Sequence, residues 1–263
     1  MKERSILDEI CLKKRAELDA QKAETPFEKM LEAALGAPQR ASFKRAITAP
    51  GAAANVIAEL KKASPSRGLI RADFDAPSLA KALEGAGAAA LSVLTERNYF
   101  LGGEENLAAA AREVSIPLLC KDFIFDEYQI CRAKARGASA VLLIVRMLGA
   151  GRLRELLEFA KSLSLDALCE AHTSEEIRAA AAAGADIIGV NCRDLKTFAT
   201  DFSLTEKLLA EIPEGVAAVA ESAIESAQML ERARAAGARA ALVGTSLMSA
   251  PDPAAALKRL LGK

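Results

Sequence analysis

From about position 54 onward, apolar residues alternate between stretches with helical spacing and short continuous runs typical of strands. Alanine-rich stretches with helical spacing lead into a Gly-Ala turn and then into a short apolar run, as in GASAVLLIV at 137–145 and GARAALVG at 237–244. A glycine just past a helix fits a left-handed C-cap that leads directly into a strand. The repeat therefore predicts helices that alternate with the strands of a parallel sheet.

Eight strands and eight helices can be placed in this repeat. The predicted strands are 55–60, 89–94, 117–120, 140–145, 167–170, 187–190, 215–220 and 240–243. The predicted helices are 77–84, 104–113, 126–136, 152–162, 174–183, 203–211, 225–235 and 253–261. This order predicts an α/β protein with a single closed (β/α)8 TIM barrel. The alternative is an open doubly wound sheet, but the loop after the first strand reads KKASPSRG and not G-x-G-x-x-G.

The first fifty residues precede the repeat and have a different pattern. Apolar residues fall here at helix-like intervals: Ile6, Leu7, Ile10, Phe27, Met30 and Leu31. We predict an N-terminal helical extension, 1–50, that packs across one end of a barrel formed by 51–263. A contact between subunits is the alternative role for the extension.

The composition narrows the class of protein. The chain has 263 residues, 51% of them hydrophobic, and its 35 basic and 35 acidic side chains give no net charge, so no basic surface indicates a nucleic-acid partner. No apolar run approaches the roughly 20 residues of a membrane span. The N-terminal MKERSILDEI is too charged for a signal peptide. We expect a cytoplasmic protein that has neither a nucleic acid nor a membrane as a partner.

Polar residues stand where five predicted strands end, which is where barrel enzymes collect their catalytic groups. These residues are Glu59 and Lys61, Lys121, Glu170, Asn191 and Arg193, and Glu221 and Ser222. Each one alone fits a solvated strand end or a neutralised ion pair equally well. If the barrel closes, however, ammonium and carboxylate groups meet in one pocket and shift one another's pKa values, as general acid and base catalysis requires.

The eighth strand ends in a candidate anion site. The segment ALVGTSLM places Gly244 and Thr245 between a strand and a short helical turn, so backbone N–H groups can face an anion. Barrels frequently bind phosphate in the loops after strands seven and eight, and Ser222 and Ala223 would form the other wall. Threonine is also common at helix starts that bind nothing.

Together these segments resemble the indole-3-glycerol-phosphate synthase family. The similar motifs are IAELKKASPSRGLI, LLCKDFIFDEYQI, LCEAHT, IIGVNCRDLKTF, AESAI and LVGTSLM, and they lie within 55–249 in the family's order. The resemblance implies an enzyme of tryptophan biosynthesis that converts 1-(2-carboxyphenylamino)-1-deoxyribulose 5-phosphate into indole-3-glycerol phosphate without a metal or organic cofactor. We expect a monomer, and weak association with other enzymes of that pathway stays open.

The resemblance also implies residue roles. Lys121 would be the general acid at the ketone oxygen and Glu170 the base, while Glu59 and Lys61 would assist dehydration and Glu221 would orient the lysine. The remaining implied contacts are Asn191 with the intermediate, Phe100 and Phe123 with the aromatic ring, Arg193 with its carboxylate, and Ser64, Ser222, Gly244 and Thr245 with the phosphate.

The chain departs from the family pattern at two positions. Ala223 replaces a glycine after the seventh strand, which weakens phosphate binding if the position needs a positive φ. Cys192 stands where asparagine is frequent, and we interpret it as a small spacer. His172, the only histidine, either tunes Glu170 or is a partly exposed bystander.

Two other functions remain open. A sugar-phosphate isomerase or epimerase barrel would bind a similar ligand, but no cysteine ends the first strand as in the Cys/Asp isomerases of the neighbouring pathway step. A non-catalytic metabolite-binding barrel would keep only the phosphate clamp. Lys121, Glu170, Glu59 and Lys61 argue against the latter, because binding alone does not need them.

Overall fold

The computed structural model of the chain describes residues 6–50, 55–191, 201–222 and 224–263. The strands are β1 (Asn55–Leu60), β2 (Ala63–Ser64), β3 (Gly68–Leu69), β4 (Ala90–Leu94), β5 (Leu118–Lys121), β6 (Ala140–Ile144), β7 (Asp166–Ala171), β8 (Ile187–Asn191), β9 (Ala217–Glu221) and β10 (Ala240–Val243). The helices are α1 (Ile6–Glu24), α2 (Phe27–Gly36), α3 (Phe43–Ile47), α4 (Ala76–Ala86), α5 (Glu104–Glu113), α6 (Glu127–Ala135), α7 (Val145–Ser162), α8 (Ser174–Ala182), α9 (Phe202–Leu209), α10 (Ala227–Ala235), α11 (Thr245–Met248) and α12 (Pro253–Leu260).

Eight parallel strands form a closed barrel in the order β1-β10-β9-β8-β7-β6-β5-β4. The ring closes because β1 pairs in parallel with both β4 and β10. The predicted (β/α)8 barrel is therefore confirmed, and the open sheet is wrong. In the described residues, no helix combines the length and the apolar character needed to cross a membrane.

Two local features differ from the prediction. The loop after β1 contains a small antiparallel hairpin of β2 and β3, which turns over residues 65–67 and returns at Gly68, whose φ is 63°. The helix predicted from 152 begins earlier, at Val145, because a first turn directly follows β6 before Gly149 breaks the helical path with φ 69° and ψ 167°. Left-handed backbone of this kind suits glycine, which has no Cβ to clash.

Side chains along each barrel strand alternate between the interior and the helix layer. One interior layer is apolar and buried, and its members from alternate strands are Ile57, Leu119, Leu168 and Val219. Two residues further along the same four strands stand Glu59, Lys121, Glu170 and Glu221, which we call the charged layer. Four side chains from alternate strands form one layer of such a barrel, so the fold itself assembles these charges.

The N-terminal extension contacts both ends of the barrel rather than one. Residues of α1 lie at the mouth, where Nζ of Lys14 is 2.8 Å from Oδ2 of Asp122 just after β5. At the opposite end, Phe43 and Ile47 of α3 are fully buried in the interior core. The helical extension is confirmed, and its division from the barrel at residue 50 stays a prediction.

Candidate active site

Lys121 lies at the centre of the charged layer. Its Nζ donates hydrogen bonds to Oε2 of Glu170 at 2.8 Å and to Oε2 of Glu221 at 2.9 Å. Burial alone would lower the pKa of Lys121, but the attraction of the carboxylates outweighs burial and raises the pKa above its ordinary value. Lys121 is therefore an ammonium with a proton to donate.

Glu170 and Glu221 have opposite pKa shifts. For Glu221, burial outweighs the attraction of Lys121, and repulsion from Glu170 adds to it, so that the pKa rises to about 7. For Glu170, burial is outweighed by Lys121 and by His172, and the pKa falls well below its ordinary value. The site thus holds one ionised carboxylate beside another that exchanges a proton near neutral pH, a combination suited to acid and base catalysis.

Glu59 and Lys61 form a second ion pair at the mouth, with Nζ of Lys61 2.6 Å from Oε2 of Glu59. Gly244, directly after β10, faces this pair. A Cβ on Gly244 would overlap the Glu59 carboxylate and lie 3.0 Å from Nζ of Lys61. Its φ of −122° is not in the left-handed region, so a larger residue here would displace the carboxylate of the ion pair rather than need a left-handed backbone.

Aromatic and aliphatic side chains form one wall of the same cavity. The rings of Phe100 and Phe123 lie 6.2 Å apart at a tilt of 41°. The loop that carries Phe100 is fixed by the buried carboxylate of Glu96, which accepts hydrogen bonds from the backbone N–H groups of residues 98–100. The cavity therefore combines an apolar aromatic surface with the charged layer, a lining typical of ligand sites.

Hydroxyl and backbone groups line other parts of the same cavity. Oγ of Ser222 donates to Oδ1 of Asn191 at 2.8 Å, and Ser222 has a φ of 71°, in the left-handed region. Ser64 is buried in β2, with Oγ 3.3 Å from that of Ser66. The short helix α11 begins at Thr245, as the predicted turn after the last strand requires.

The structure brings the predicted site residues of the described segments together around one cavity. They are Glu59, Lys61, Ser64, Phe100, Lys121, Phe123, Glu170, Asn191, Glu221, Ser222, Gly244 and Thr245. Arg193 and Ala223, as well as the spacer Cys192, lie outside the described residues, so their assignments stay predictions. His172 is not an exposed bystander, because its side chain is only 7% exposed and touches Glu170.

Sequence reasoning missed two parts of the cavity wall. Residues Ile6, Leu7 and Ile10 of α1 line the mouth, although their spacing indicated only packing. Arg146, in the first turn of α7 and two residues beyond the end of β6, also lines the cavity. The available signal is the charge of Arg146 directly after the predicted strand 140–145, at the end of an apolar run.

Comparison with known proteins identifies the family of this barrel. The family profile described as "Indole-3-glycerol phosphate synthase" matches residues 7–260. The chain belongs to the indole-3-glycerol phosphate synthase family. A relative of that name from Campylobacter jejuni is 44% identical over 257 residues, which are 97% of this chain and 100% of the relative. The family resemblance noted in the motifs is therefore confirmed.

Two further comparisons bear on this chain, one on its family and the other on its fold alone. An indole-3-glycerol phosphate synthase from Koribacter versatilis is 53% identical over 207 residues, 79% of this chain and 80% of the relative. The solved structure of thiamine phosphate pyrophosphorylase from Pyrococcus furiosus covers 84% of this chain and 96% of its own, with a TM-score of 0.62 and 17% identity. The latter similarity shows the barrel fold alone.

Proposed function

We propose that this protein catalyses the reaction of its family. It closes the pyrrole ring of 1-(2-carboxyphenylamino)-1-deoxyribulose 5-phosphate, releases carbon dioxide and then water, and yields indole-3-glycerol phosphate. The observation that carries this proposal is the ammonium of Lys121, held between Glu170 and Glu221 at the mouth of the barrel. Binding a sugar phosphate does not require such a buried acid and base arrangement.

Ring closure needs a proton donor at the ketone oxygen. The aromatic carbon that bears the carboxylate attacks the ketone carbon, and the oxygen becomes an alkoxide unless it is protonated. Lys121 supplies that proton, since its ammonium is buried and its raised pKa keeps it charged in the free site. Transfer to the oxygen develops only as the new bond forms, so the interaction favours the transition state.

Decarboxylation follows from the closed ring. Attack leaves a cationic iminium, which accepts the electron pair of the breaking carbon–carboxylate bond as carbon dioxide leaves. The carboxylates of Glu170 and Glu59 lie near this developing cation and stabilise it. The ring must therefore close before carbon dioxide is released.

Dehydration completes the indole. The former ketone oxygen leaves as water, and a proton is removed so that the ring becomes aromatic. We assign proton removal to Glu170 and assistance to the pair of Glu59 and Lys61, whose ammonium can also reach the phosphate. Asn191 holds the intermediate and Glu221 orients Lys121. Each positioned acid or base of this kind contributes on the order of 10²–10⁴ in rate.

Different groups of the cavity bind three parts of the substrate: the aromatic ring, its carboxylate and the phosphate. Phe100 and Phe123 contact the aromatic ring, and Arg193 meets its carboxylate through a planar guanidinium. The phosphate contacts are Ser64, Ser222, the Ala223 position, Gly244 and Thr245. We also propose a monomeric enzyme of the cytoplasm, and weak association with other tryptophan-pathway enzymes stays a prediction.

The test is an assay of the purified chain with its substrate. Product fluorescence and released carbon dioxide should rise together, and Glu170→Gln should slow both by on the order of 10²-fold or more. Binding of the substrate without carbon dioxide release would favour the non-catalytic barrel. Conversion of a sugar phosphate to its isomer without decarboxylation would favour the isomerase.

A further inference from the structure

The two carboxylate oxygens of Glu170 have different partners. Oε2 accepts a hydrogen bond from Nζ of Lys121 at 2.8 Å, whereas Oε1 lies 3.1 Å from Nε2 of His172. His172 is two residues beyond Glu170, so strand alternation directs both side chains into the barrel mouth. The carboxylate is held from both sides and cannot rotate without losing a contact.

The charge of Glu170 determines which atom of His172 carries the proton. Burial favours the neutral acid, but Lys121 and His172 outweigh burial and hold the pKa of Glu170 well below its ordinary value. An ionised carboxylate only accepts hydrogen bonds, and neutral imidazole has one N–H. The hydrogen-bond contact therefore requires that Nε2 of His172 is protonated and donates to Oε1.

A second carboxylate fixes the histidine. Oε2 of Glu176, in the first turn of α8, accepts a hydrogen bond from the backbone N–H of His172 at 2.7 Å. Oε1 of Glu176 lies 3.3 Å from Nε of Arg146, which stands in the first turn of α7. Among the described residues, Glu170 of β7 and Glu176 of α8 contact His172, and Arg146 of α7 contacts Glu176 and lines the same cavity as His172.

We propose that His172 is a positioning residue that orients Glu170 for proton transfer. Its Nε2–H holds Oε1, so that Lys121 and His172 together fix the plane of the carboxylate against the substrate. Without this donor, the carboxylate of Glu170 can rotate about its contact with Lys121, and its orientation toward the substrate is no longer fixed. The inference rests on the proposed function, because it concerns the base of that reaction.

Two substitutions separate hydrogen bonding from packing. His172→Leu removes the donor, and His172→Gln keeps an N–H of similar reach. We expect kcat to fall about tenfold or more in the leucine variant and to recover most of its value in the glutamine variant, with KM within about twofold in both.

The pH dependence of kcat is the second readout. Its acidic limb should move to higher pH in His172→Leu, because loss of the donor raises the pKa of Glu170. Equal kcat and equal pH profiles in the parent and His172→Leu would overturn the inference.

A double-mutant cycle tests whether His172 acts through Glu170. In the Glu170→Gln background, His172→Leu should cause no further loss of kcat, whereas an equal fold loss in both backgrounds would overturn the inference.

The unmodified protein offers an independent check by NMR, since its only histidine gives one set of imidazole ¹⁵N signals. These signals should show a proton on Nε2. A neutral His172 ring that carries its proton on Nδ1 would also overturn the inference. An inactive parent chain would instead refute the proposed function and leave the ¹⁵N result to decide the contact.

Discussion

The ammonium of Lys121 lies 2.8 Å from a carboxylate oxygen of Glu170, although 49 residues separate them in the chain. They occupy β5 and β7, which are alternate strands of the barrel and so contribute to the same interior layer. Closure of the ring therefore creates the contact, and the two residues need no shared loop. The charged layer replaces an apolar layer at the point where the interior opens to the mouth.

Gly244→Ala should damage activity more than stability. The new methyl group would overlap the carboxylate of Glu59, which must move away from Lys61. Because the backbone of Gly244 already has a φ that alanine adopts, the strain falls on the ion pair. We expect kcat to drop by about tenfold or more, measured by steady-state product fluorescence.

Gly85→Ala is the matched control for that substitution. Gly85 lies near the end of α4, and a Cβ there would meet no atom within 4 Å. Alanine favours a helix by up to about 1 kcal/mol over glycine, so the control should keep full activity and equal or greater stability. Unchanged kcat in Gly244→Ala would show that Glu59 can move at no cost to the reaction.

The raised pKa of Glu221 gives the fold a specific pH dependence. Its ordinary value is 4.5, and its value in the folded protein is about 7, so the folded state binds the extra proton between these pH values. The resulting stabilisation is complete below the unfolded pKa and is lost as the pH rises through about 7. Relative to Glu221→Gln, the parent should therefore lose stability between about pH 5 and pH 8.

Urea denaturation of both proteins across that range measures the effect. Titrating groups far from Glu221 are present in both chains and cancel in the difference, which therefore reports Glu221 together with its direct partners Lys121 and Glu170. A difference that stays constant with pH would show that Glu221 is ionised throughout the range.

Lys14→Met should loosen helix α1 at the mouth. Lys14 and Asp122 form an ion pair whose side chains are 12% and 8% exposed, and Thr95 donates a further hydrogen bond to Asp122 at 2.5 Å. Removal of the lysine leaves part of a buried carboxylate without its charged partner, which should cost about 1–3 kcal/mol of unfolding free energy. Urea denaturation measures this, with the exposed Lys29→Met as control. An equal loss in both variants would contradict a specific role of the pair.

Much of the barrel could be predicted from the sequence because its elements satisfy local and global requirements together. The Gly-Ala turns mark helix ends and the apolar runs mark strands, so the predicted and observed bounds of β1 and β10 agree. Glu59 was recognisable because a carboxylate two residues after Ile57 must share its inward direction. The charged layer follows from that alternation once the ring closes.

The remaining features depend on contacts that a single segment does not reveal. The spacing of Ile6, Leu7 and Ile10 predicts a helix but not that it lies over the mouth, since the ion pair of Lys14 with Asp122 joins distant parts of the chain. The first turn of α7 was missed because Val145 favours a strand by its side chain. For His172 the sequence left two roles open, tuning Glu170 or a bystander, because its contact with Glu170 depends on the burial of both side chains.

Lys121→Met tests the central claim most directly, because it removes the ammonium that joins Glu170 and Glu221 while keeping an unbranched side chain. Lys161→Met, at an exposed position of α7, is the matched control. We expect formation of indole-3-glycerol phosphate and release of carbon dioxide to fall by at least about 10²-fold in Lys121→Met, with a folded barrel by circular dichroism, and to be unchanged in Lys161→Met. A folded Lys121→Met protein that makes product at the parent rate would contradict the account.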